Sequence, residues 1–169
     1  VKEAIEVLNG NGPEDVTIIA LTIASYMAVL GEAFKNFETS FDELNKIIKS
    51  GKAIEKLKEL VMIQGWNPDL IDNPEKLPEA ERHIEIKAIQ KGYISEINAE
   101  NIGVSAMLLG AGRKKKEDEI DPAAGITITK KVGDEVNPGD TICILHTNLE
   151  NFKEAETIAR RAFVISETK

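Results

Sequence analysis

The sequence predicts an α+β protein in which a helical segment precedes a small β-rich domain. Apolar residues recur at helical spacing through residues 1–65, whereas beyond residue 80 they alternate with charged residues, as in half-buried strands. Residues 66–80, which lie between, hold three prolines and two Asn-Pro pairs. We therefore expect a helical segment over 1–65, a linker loop over 66–80 and a β-rich domain with interspersed helices over 81–169.

Composition and charge exclude several classes of protein. The chain is 42% hydrophobic and 30% charged, which is typical of a globular protein. Its net charge of −8 argues against a nucleic-acid partner, because such affinity depends on clustered Lys and Arg. The longest uncharged run, residues 16–30, is too short to span a membrane and predicts a buried helix instead. The single cysteine, Cys143, excludes an internal disulfide, fits a cytoplasmic location, and lies in an apolar run that predicts a buried, inert thiol.

The helical segment contains four predicted helices. The first is closed by Gly10 and Gly12, and it starts inside an amphipathic pattern, so we expect the chain to be the interior of a longer protein. Pro13 opens the second helix, which Gly31 ends. Its predicted core stripe is Val16, Ile19, Ala20, Ile23, Met27 and Leu30.

The third predicted helix begins with a capping box, Ser40 and Glu43, and stops at Gly51. The fourth ends near Gly65. The apolar positions expected to be buried in these two helices are Phe41, Leu44, Ile47, Ile48, Ala53, Ile54, Leu57, Leu60 and Val61. Trp66, which follows, is expected to anchor the linker against the helices.

Two regions of the second domain resemble each other, each with an extended segment, a glycine turn and another extended segment. In the first, Ile84, Ile86 and Ala88 alternate with charged residues before a turn at Gly92. The second, residues 130–146, predicts a strand–turn–strand hairpin. An apolar helix and a charged loop separate the regions, and a helix containing Ala155 and Ala159 follows them. Two such halves closing on each other predict a barrel-sandwich hybrid, the architecture of lipoyl- and biotinyl-carrier domains.

A carrier domain would present a lysine for covalent modification. Biotin acceptors hold that lysine between two methionines, and this chain has no Met-Lys-Met. The candidates Lys114, Lys115 and Lys116 lie in a row with acidic neighbours, which is not an acceptor signature. A non-enzymatic, carrier-like interaction module is therefore the alternative function.

The two histidines lack an obvious catalytic partner. His146 ends an apolar strand, and no acid or nucleophile can be named beside it, so a structural role is expected, bonding the turn or capping the last helix. His83 follows the proline-rich segment and is expected to be exposed.

The stretch LLGAGRKKKEDEIDPAAGITITKKVGDEVNPGD resembles the C-terminal domain of pyrimidine-nucleoside phosphorylases, relatives of thymidine phosphorylase. Leu-Gly-Ala-Gly-Arg, Lys-Glu-Asp, Ile-Asp, Ala-x-Gly-Ile and Lys-x-Gly-Asp-x-Val follow one another in the family order. The segments EVLNGNGPEDV and GYISEINAENIGVSAMLLGAGR also resemble family sequences. The resemblance runs from residue 1 nearly to the last helix, and it implies that residues 1–65 are the C-terminal part of a large α/β domain.

The resemblance implies phosphorolysis of uridine or thymidine to the free base and a pentose 1-phosphate. In the family, the glycine-rich phosphate loop and the groups that contact the base lie upstream of the part seen here. We therefore expect no catalytic residue in this chain, no activity from it alone, and a role in domain packing and cleft closure. The implied partners are the upstream part of the same enzyme, phosphate, a pyrimidine nucleoside and a second copy in a homodimer.

Two sets of site residues are expected. By resemblance, Glu3 is one ligand of a monovalent cation, assigned as potassium, whose other ligands include upstream backbone carbonyls. No organic cofactor is expected. Gly110, Gly112, Arg113 and Lys114 are predicted to form a contact at the cleft rim or a domain interface.

Overall fold

The first unit, Val1–Leu77, is built from helices. The structure is a computed structural model that describes residues 1–168. The helices of this unit are α1 (Lys2–Leu8), α2 (Glu14–Leu30), α3 (Phe37–Lys49), α4 (Lys52–Ile63) and the single-turn α5 (Asp69–Asp72), followed by a 3₁₀ turn at Pro74–Lys76. Three of the helix ends predicted from glycine have the expected backbone, because Gly10, Gly51 and Gly65 adopt positive φ, at 80°, 77° and 83°.

The predicted core stripe of α2 is not buried within this unit. Ile19, Ile23, Met27 and Leu30 are exposed by 60%, 56%, 67% and 83%. The buried residues of α2 are instead Leu21 and Ser25. Helix α2 packs against α3 at Ser25, whose carbonyl accepts from the Ser40 hydroxyl, and only a narrow strip of α2 is covered in this unit. Its wide apolar side faces away from the described helices of the unit.

Helix α3 begins four residues earlier than predicted, with its N-cap at Asn36 rather than Ser40. The side chain of Asn36 caps it by accepting a hydrogen bond from the Thr39 backbone N–H at 2.9 Å. The predicted capping box is therefore wrong, and Ser40 lies inside the helix, where its hydroxyl contacts the Ser25 carbonyl at 3.4 Å. The earlier start places Phe37 4.9 Å from Tyr26, ring centre to ring centre.

The expectation for Trp66 is wrong, and the segment that follows it contains more structure than a loop. Trp66 is 70% exposed and so does not anchor the adjoining segment against the helices. Residues 66–80 are also not simply a loop, since they include α5, whose Ile71 is buried with Ile5 and Ile54. Among the residues predicted as buried, Ile47 and Leu60 are exposed by 38% and 49%.

The second unit, from Pro78 onwards, contains two three-stranded antiparallel sheets. Its elements are β1 (Arg82–Lys87), β2 (Gly92–Ile97), α6 (Ala99–Ala106), β3 (Gly125–Ile128), β4 (Glu135–Val136), β5 (Thr141–Thr147), α7 (Lys153–Ala162) and β6 (Phe163–Ser166), with a π-helical turn at Met107–Ala111 after α6. The strand orders are β1-β5-β3 and β4-β2-β6. The predicted α+β class is therefore confirmed.

Residues 130–146 do not form the predicted hairpin. β4 pairs with β2, whereas β5 pairs with β1 and β3, so the two strands belong to different sheets. The turn between them redirects the chain, with Gly139 at a φ of 94° and the Asn137 N–H bonded to the Asp140 carboxylate at 2.9 Å. Sequence alternation predicted the strands correctly but not their partners.

One core serves both sheets. Ile86 of β1, Ile94 of β2, Val136 of β4 and Leu145 of β5 are fully buried in it. The last helix contributes its alanine face, as predicted: Ala155, Ala159 and Ala162. Strand β6 follows α7 directly and was not predicted, because its four residues carry little alternation. No helix within residues 1–168 combines the length and apolarity needed to cross a bilayer.

Candidate functional site

The candidate site is the rim segment, residues 110–118, which leaves the end of the π-helical turn. Gly110 has a φ of 108°, a conformation that glycine adopts without strain. Gly112 lies so close to the helix that a Cβ there would be 3.2 Å from Cβ of Met107. Both predicted glycines are therefore required by the backbone: Gly110 reverses the chain, and Gly112 lets the chain pass beside Met107.

Thr147, at the end of β5, anchors the start of the rim segment. Its buried hydroxyl donates to the Leu109 carbonyl at 2.7 Å and accepts from the Leu149 N–H at 3.1 Å. Without the Thr147 hydroxyl, the Leu109 carbonyl would lose this donor, and a buried carbonyl without a donor destabilises the folded state. The end of a central strand therefore positions the chain reversal at Gly110.

Asp121, three residues beyond the rim segment, bonds back to the first residue of the segment. Its backbone N–H donates to the Gly110 carbonyl at 2.9 Å, and its carboxylate accepts from the Asn148 amide at 2.8 Å. The side-chain oxygen of Asn148 accepts a hydrogen bond from the Glu81 backbone N–H at 2.8 Å. Asn148 therefore ties the loop to the start of β1.

The lysine run is held by its own acidic neighbour. The carboxylate of Asp118 accepts hydrogen bonds from the backbone N–H groups of Lys114 and Lys115, at 3.0 and 2.9 Å. The side chains of Arg113, Lys114 and Lys115 are exposed. The loop is thus a defined turn that presents basic side chains on the surface.

A cavity of about 360 Å³ lies beneath this turn. Three of the four predicted rim residues line it, namely Gly110, Gly112 and Lys114, while Arg113 is not among the lining residues. Its charged lining also includes Asp118, Glu119 and Glu154. Three carboxylates against one ammonium do not suit an anion such as phosphate.

Sequence reasoning missed the groups that hold the segment in place: Asp118, Asp121, Thr147 and Asn148. A signal existed for the two aspartates, since Asp side chains commonly accept bonds from nearby backbone N–H groups in turns. No local signal could identify Thr147 and Asn148, because their partners Leu109 and Asp121 lie 38 and 27 residues away.

Glu3 lies exposed in the first turn of α1, where a carboxylate is favoured by the helix dipole. It supplies one oxygen-bearing side chain, the ligand type that a hard monovalent cation takes. Across residues 1–168 no group of three or more His, Cys, Asp or Glu is placed to hold a metal ion.

His146 has partners that the sequence did not suggest. Its Nδ1 lies 2.7 Å from Nδ1 of His83, and its Nε2 lies 2.8 Å from the Thr127 hydroxyl. A structural role is thus supported, but through β1 and β3 rather than through the turn or the last helix. His83 is exposed, as predicted.

Comparison with known families assigns a class to the second unit. Residues 93–166 match the model of the pyrimidine nucleoside phosphorylase C-terminal domain. The match spans β2 through β6 and includes the rim segment with its anchors. This part of the chain is therefore similar to the C-terminal domain of that phosphorylase type.

The chain as a whole is similar to the C-terminal portion of pyrimidine-nucleoside phosphorylases, which confirms the predicted resemblance. It is 47% identical over 154 residues to the enzyme of that name from Bacillus subtilis, and 46% identical over 154 residues to that from Staphylococcus epidermidis. Both matches cover 91% of this chain and 36% of the relative. A Staphylococcus haemolyticus relative of the same name is 47% identical over 151 residues, 89% of this chain. The chain thus spans about a third of the length of these curated relatives.

Proposed function

We propose that this chain acts as the C-terminal portion of a pyrimidine-nucleoside phosphorylase. The observation that carries the proposal is the identity of 47% over 91% of the chain, which corresponds to only 36% of the relative. The reaction is attack of phosphate on C1′ of uridine or thymidine, which releases the base and a pentose 1-phosphate. The enzyme is accordingly a transferase of nucleoside metabolism.

The chain contributes to this reaction by supporting domain packing and closure of the cleft. Phosphorolysis needs donors for phosphate and for the departing pyrimidine anion. The charged cavity beneath the rim segment is dominated by Asp118, Glu119 and Glu154, which suits neither anion. The residues that bind phosphate and base therefore belong to the rest of the enzyme, and this chain alone is inactive.

The rim segment is proposed to contact another domain at the edge of the cleft. Its backbone is fixed at the start by Thr147 and Asp121 and within the turn by Asp118, while Arg113 and Lys114 stay exposed. A turn with a fixed backbone and exposed basic side chains suits a contact with an acidic or polar surface, because little conformational entropy is lost on docking.

The second unit is proposed to be a barrel-sandwich hybrid. In support, each of the two predicted halves contributes strands to both sheets: β1 joins β5 and β3, and β2 joins β4 and β6. The core residues of the two sheets form one cluster. Residues 1–65 are proposed to complete the large α/β domain, with 66–80 as the connection.

The α2 apolar face, defined as Ile19, Ile23, Met27 and Leu30, is proposed to pack against the upstream part of the same enzyme. These four side chains recur at helical spacing and are each more than half exposed. An apolar patch of this size is rarely left in water by a folded protein. The relatives are longer than the chain by about two thirds of their own length, which supplies the polypeptide to cover it.

Glu3 is proposed to give one ligand to a potassium ion in the intact enzyme, with backbone carbonyls from the rest of the protein completing the site. The exposed carboxylate at the start of α1 is compatible with that role. A cytoplasmic homodimer completes the proposal, on the strength of the family resemblance.

The experiment that tests this function is an assay of uracil or thymine release from uridine or thymidine, with and without phosphate. The 169-residue chain is assayed alone, and then joined to the upstream two thirds of the Bacillus subtilis relative. We expect no release from the chain alone and phosphate-dependent release from the joined protein.

Two outcomes would contradict the proposal. Phosphate-dependent release by the chain alone would place a catalytic centre within these residues. An inactive but folded joined protein would favour the carrier-like alternative, which a mass increase on Lys114, Lys115 or Lys116 after treatment with a biotin or lipoyl ligase would support. The present geometry gives that alternative no support, because the lysine run lies in an Asp118-capped loop rather than at a hairpin tip.

A further inference from the structure

The two imidazoles of the chain form a direct hydrogen bond between neighbouring strands. His83 of β1 and His146 of β5 are cross-strand partners, and their Nδ1 atoms lie 2.7 Å apart. The rings meet edge to face, with centroids 5.0 Å apart. The second ring nitrogen of His146 lies 2.8 Å from the Thr127 hydroxyl, which belongs to β3. The contact therefore links all three strands of this sheet.

The number of protons on the pair decides whether this bond can exist. One Nδ1 must donate and the other must accept. Two neutral rings satisfy this rule, and so do one imidazolium and one neutral ring, where the bond is strengthened by charge. Two imidazolium rings do not, because both Nδ1 atoms then carry protons and both rings are positive. The bond therefore survives the first proton and is broken by the second.

The chain beside the pair holds the rim segment. Thr147 and Asn148 directly follow His146, and they bond Leu109, Asp121 and Glu81. The pairing of β1 with β5 continues from His83–His146 to Arg82–Thr147. A change in the histidine pair therefore acts at the position where the rim segment is anchored.

We propose that His83 and His146 form a pH-sensitive clasp, which holds the ends of β1 and β5 together near neutral pH and opens when the second proton binds. Opening loosens the anchors Thr147 and Asn148, and with them the rim segment. The proposal concerns the chain's own structure and does not depend on the phosphorylase function.

The surroundings of His146 favour late uptake of the second proton. Burial of the ring lowers its pKa from the ordinary value of 6.5, the neighbouring His83 lowers it further, and Glu79 opposes the shift. The charged residues in and just before β1 are Glu79, Glu81, Arg82, Glu85 and Lys87, of which Glu81 and Arg82 are paired at 3.8 Å and Glu85 and Lys87 at 3.2 Å. On β5 and β3 the corresponding neighbours are the uncharged Ile144 and Thr127.

The sign of the pH effect follows from the lowered pKa. The unfolded chain binds a proton at His146 more readily than the folded chain does, so stability is complete above the unfolded pKa of 6.5. This contribution of His146 to stability is lost as the pH falls below 6.5 and through the lower pKa of the folded state. Because the two rings interact, the two protonation steps belong to the pair rather than to either residue.

The test uses uniformly ¹⁵N-labelled chain, in which His83 and His146 are the only two histidines. Nuclear magnetic resonance measures the scalar coupling between the two Nδ1 nuclei, together with the amide signals of Leu149 and Glu81, from about pH 8 to about pH 5. We expect the coupling near neutral pH and its loss at the second protonation step. The two amide signals are expected to shift over the same pH range.

Two variants separate a clasp from an ordinary surface contact. H83F removes the partner ring, so the pH-dependent shifts of Leu149 and Glu81 are expected to disappear and the pKa of His146 to rise relative to the unsubstituted chain. T127V leaves Nδ1 untouched and should retain the coupling. Absence of the coupling at every pH, its persistence when both rings are protonated, or unchanged amide shifts in H83F would each overturn the proposal. The first two outcomes are measured on the unsubstituted chain, so the proposal can be tested even if a variant fails to fold.

Discussion

The hydroxyl of Thr147 donates to the backbone carbonyl of Leu109 at 2.7 Å, although 38 residues separate the two along the chain. The bond joins the end of β5 to the turn that opens the rim segment. It also explains why a polar side chain is fully buried at this position. The geometry of the rim segment therefore depends on a strand that is distant in sequence.

Replacing Thr147 by valine keeps the shape of the side chain and removes this bond. We expect a loss of about 1–3 kcal/mol in the free energy of unfolding, because a buried carbonyl is left without a donor. Thr147→Ser is the control, since it retains the hydroxyl. The free energy of unfolding of both variants is measured in urea, with the reactivity of the Cys143 thiol, which lies in the same unit, as the probe of unfolding. Equal stability of the two variants would contradict an anchoring role for the hydroxyl.

Gly92 is expected to be irreplaceable for reasons of space. A Cβ at this position would collide with the Ser166 carbonyl oxygen and lie 2.8 Å from Cγ2 of Ile165 in the paired strand β6. Gly92→Ala should therefore cost about 2 kcal/mol or more through overpacking. Gly103→Ala is the matched control: nothing lies within 4 Å of its Cβ position, and alanine in a helix should add about 0.5–1 kcal/mol. Thermal unfolding of both variants would show whether their effects have opposite signs.

Cys143 is expected to be inert in the folded chain. The thiol is fully buried, and burial raises its pKa to about 11, with Arg160 opposing the shift. A thiol reagent at about pH 8 should therefore modify Cys143 only after denaturant is added. The folded pKa of Cys143 lies above the ordinary 9.0. The contribution of this thiol to stability is therefore fully present below pH 9 and is lost as the pH rises from 9 towards 11. Rapid modification without denaturant would contradict the buried position.

The α2 apolar face and the buried side of the same helix should respond differently to substitution. Leu21→Ala removes a buried side chain and should cost about 2–5 kcal/mol in the 169-residue chain. Ile23→Ser changes an exposed residue and should alter stability by no more than about 0.5 kcal/mol. In the protein joined to the upstream part, Ile23→Ser should become clearly destabilising. An unchanged effect there would argue against packing of this face on the rest of the enzyme.

Deletion of residues 113–118 in the joined protein tests the proposed rim contact. If exposed Arg113 and Lys114 contact another domain, the deletion should lower turnover or stability. Asp118→Ala is a milder companion, since it frees the backbone N–H groups of Lys114 and Lys115 without removing a lysine. Phosphorolysis rate and melting temperature are the measurements. If the deletion changes neither, residues 113–118 have no part in domain contact.

Local patterns predicted much of this fold. The alternation of Ile84 and Ile86 with Glu85 predicted β1, and the alanine spacing in α7 predicted its buried face. The class, the resemblance to the phosphorylase family and the buried Cys143 were also correct. Each of these rests on residues close together in sequence, where spacing alone is informative.

The partners of each element could not be predicted in the same way. Hydrophobic periodicity identified an apolar stripe on α2, but whether that stripe is covered depends on which elements lie beside it, and α3 covers the side with Ser25 instead. The separation of β4 and β5 into two sheets, and the meeting of His83 with His146 across 63 residues, depend likewise on distant pairing.

Local sequence was enough for the order of most helices and strands, α5 and β6 excepted, and for the glycine turns and the family resemblance, since these depend on local conformational preference and residue order. Only the tertiary structure decided which strands pair, which face of α2 is exposed, and that Thr147, Asn148 and Asp121 together hold the rim segment. The physical reason is that such contacts are selected by packing and hydrogen-bond satisfaction over the whole unit, which no short window of sequence contains.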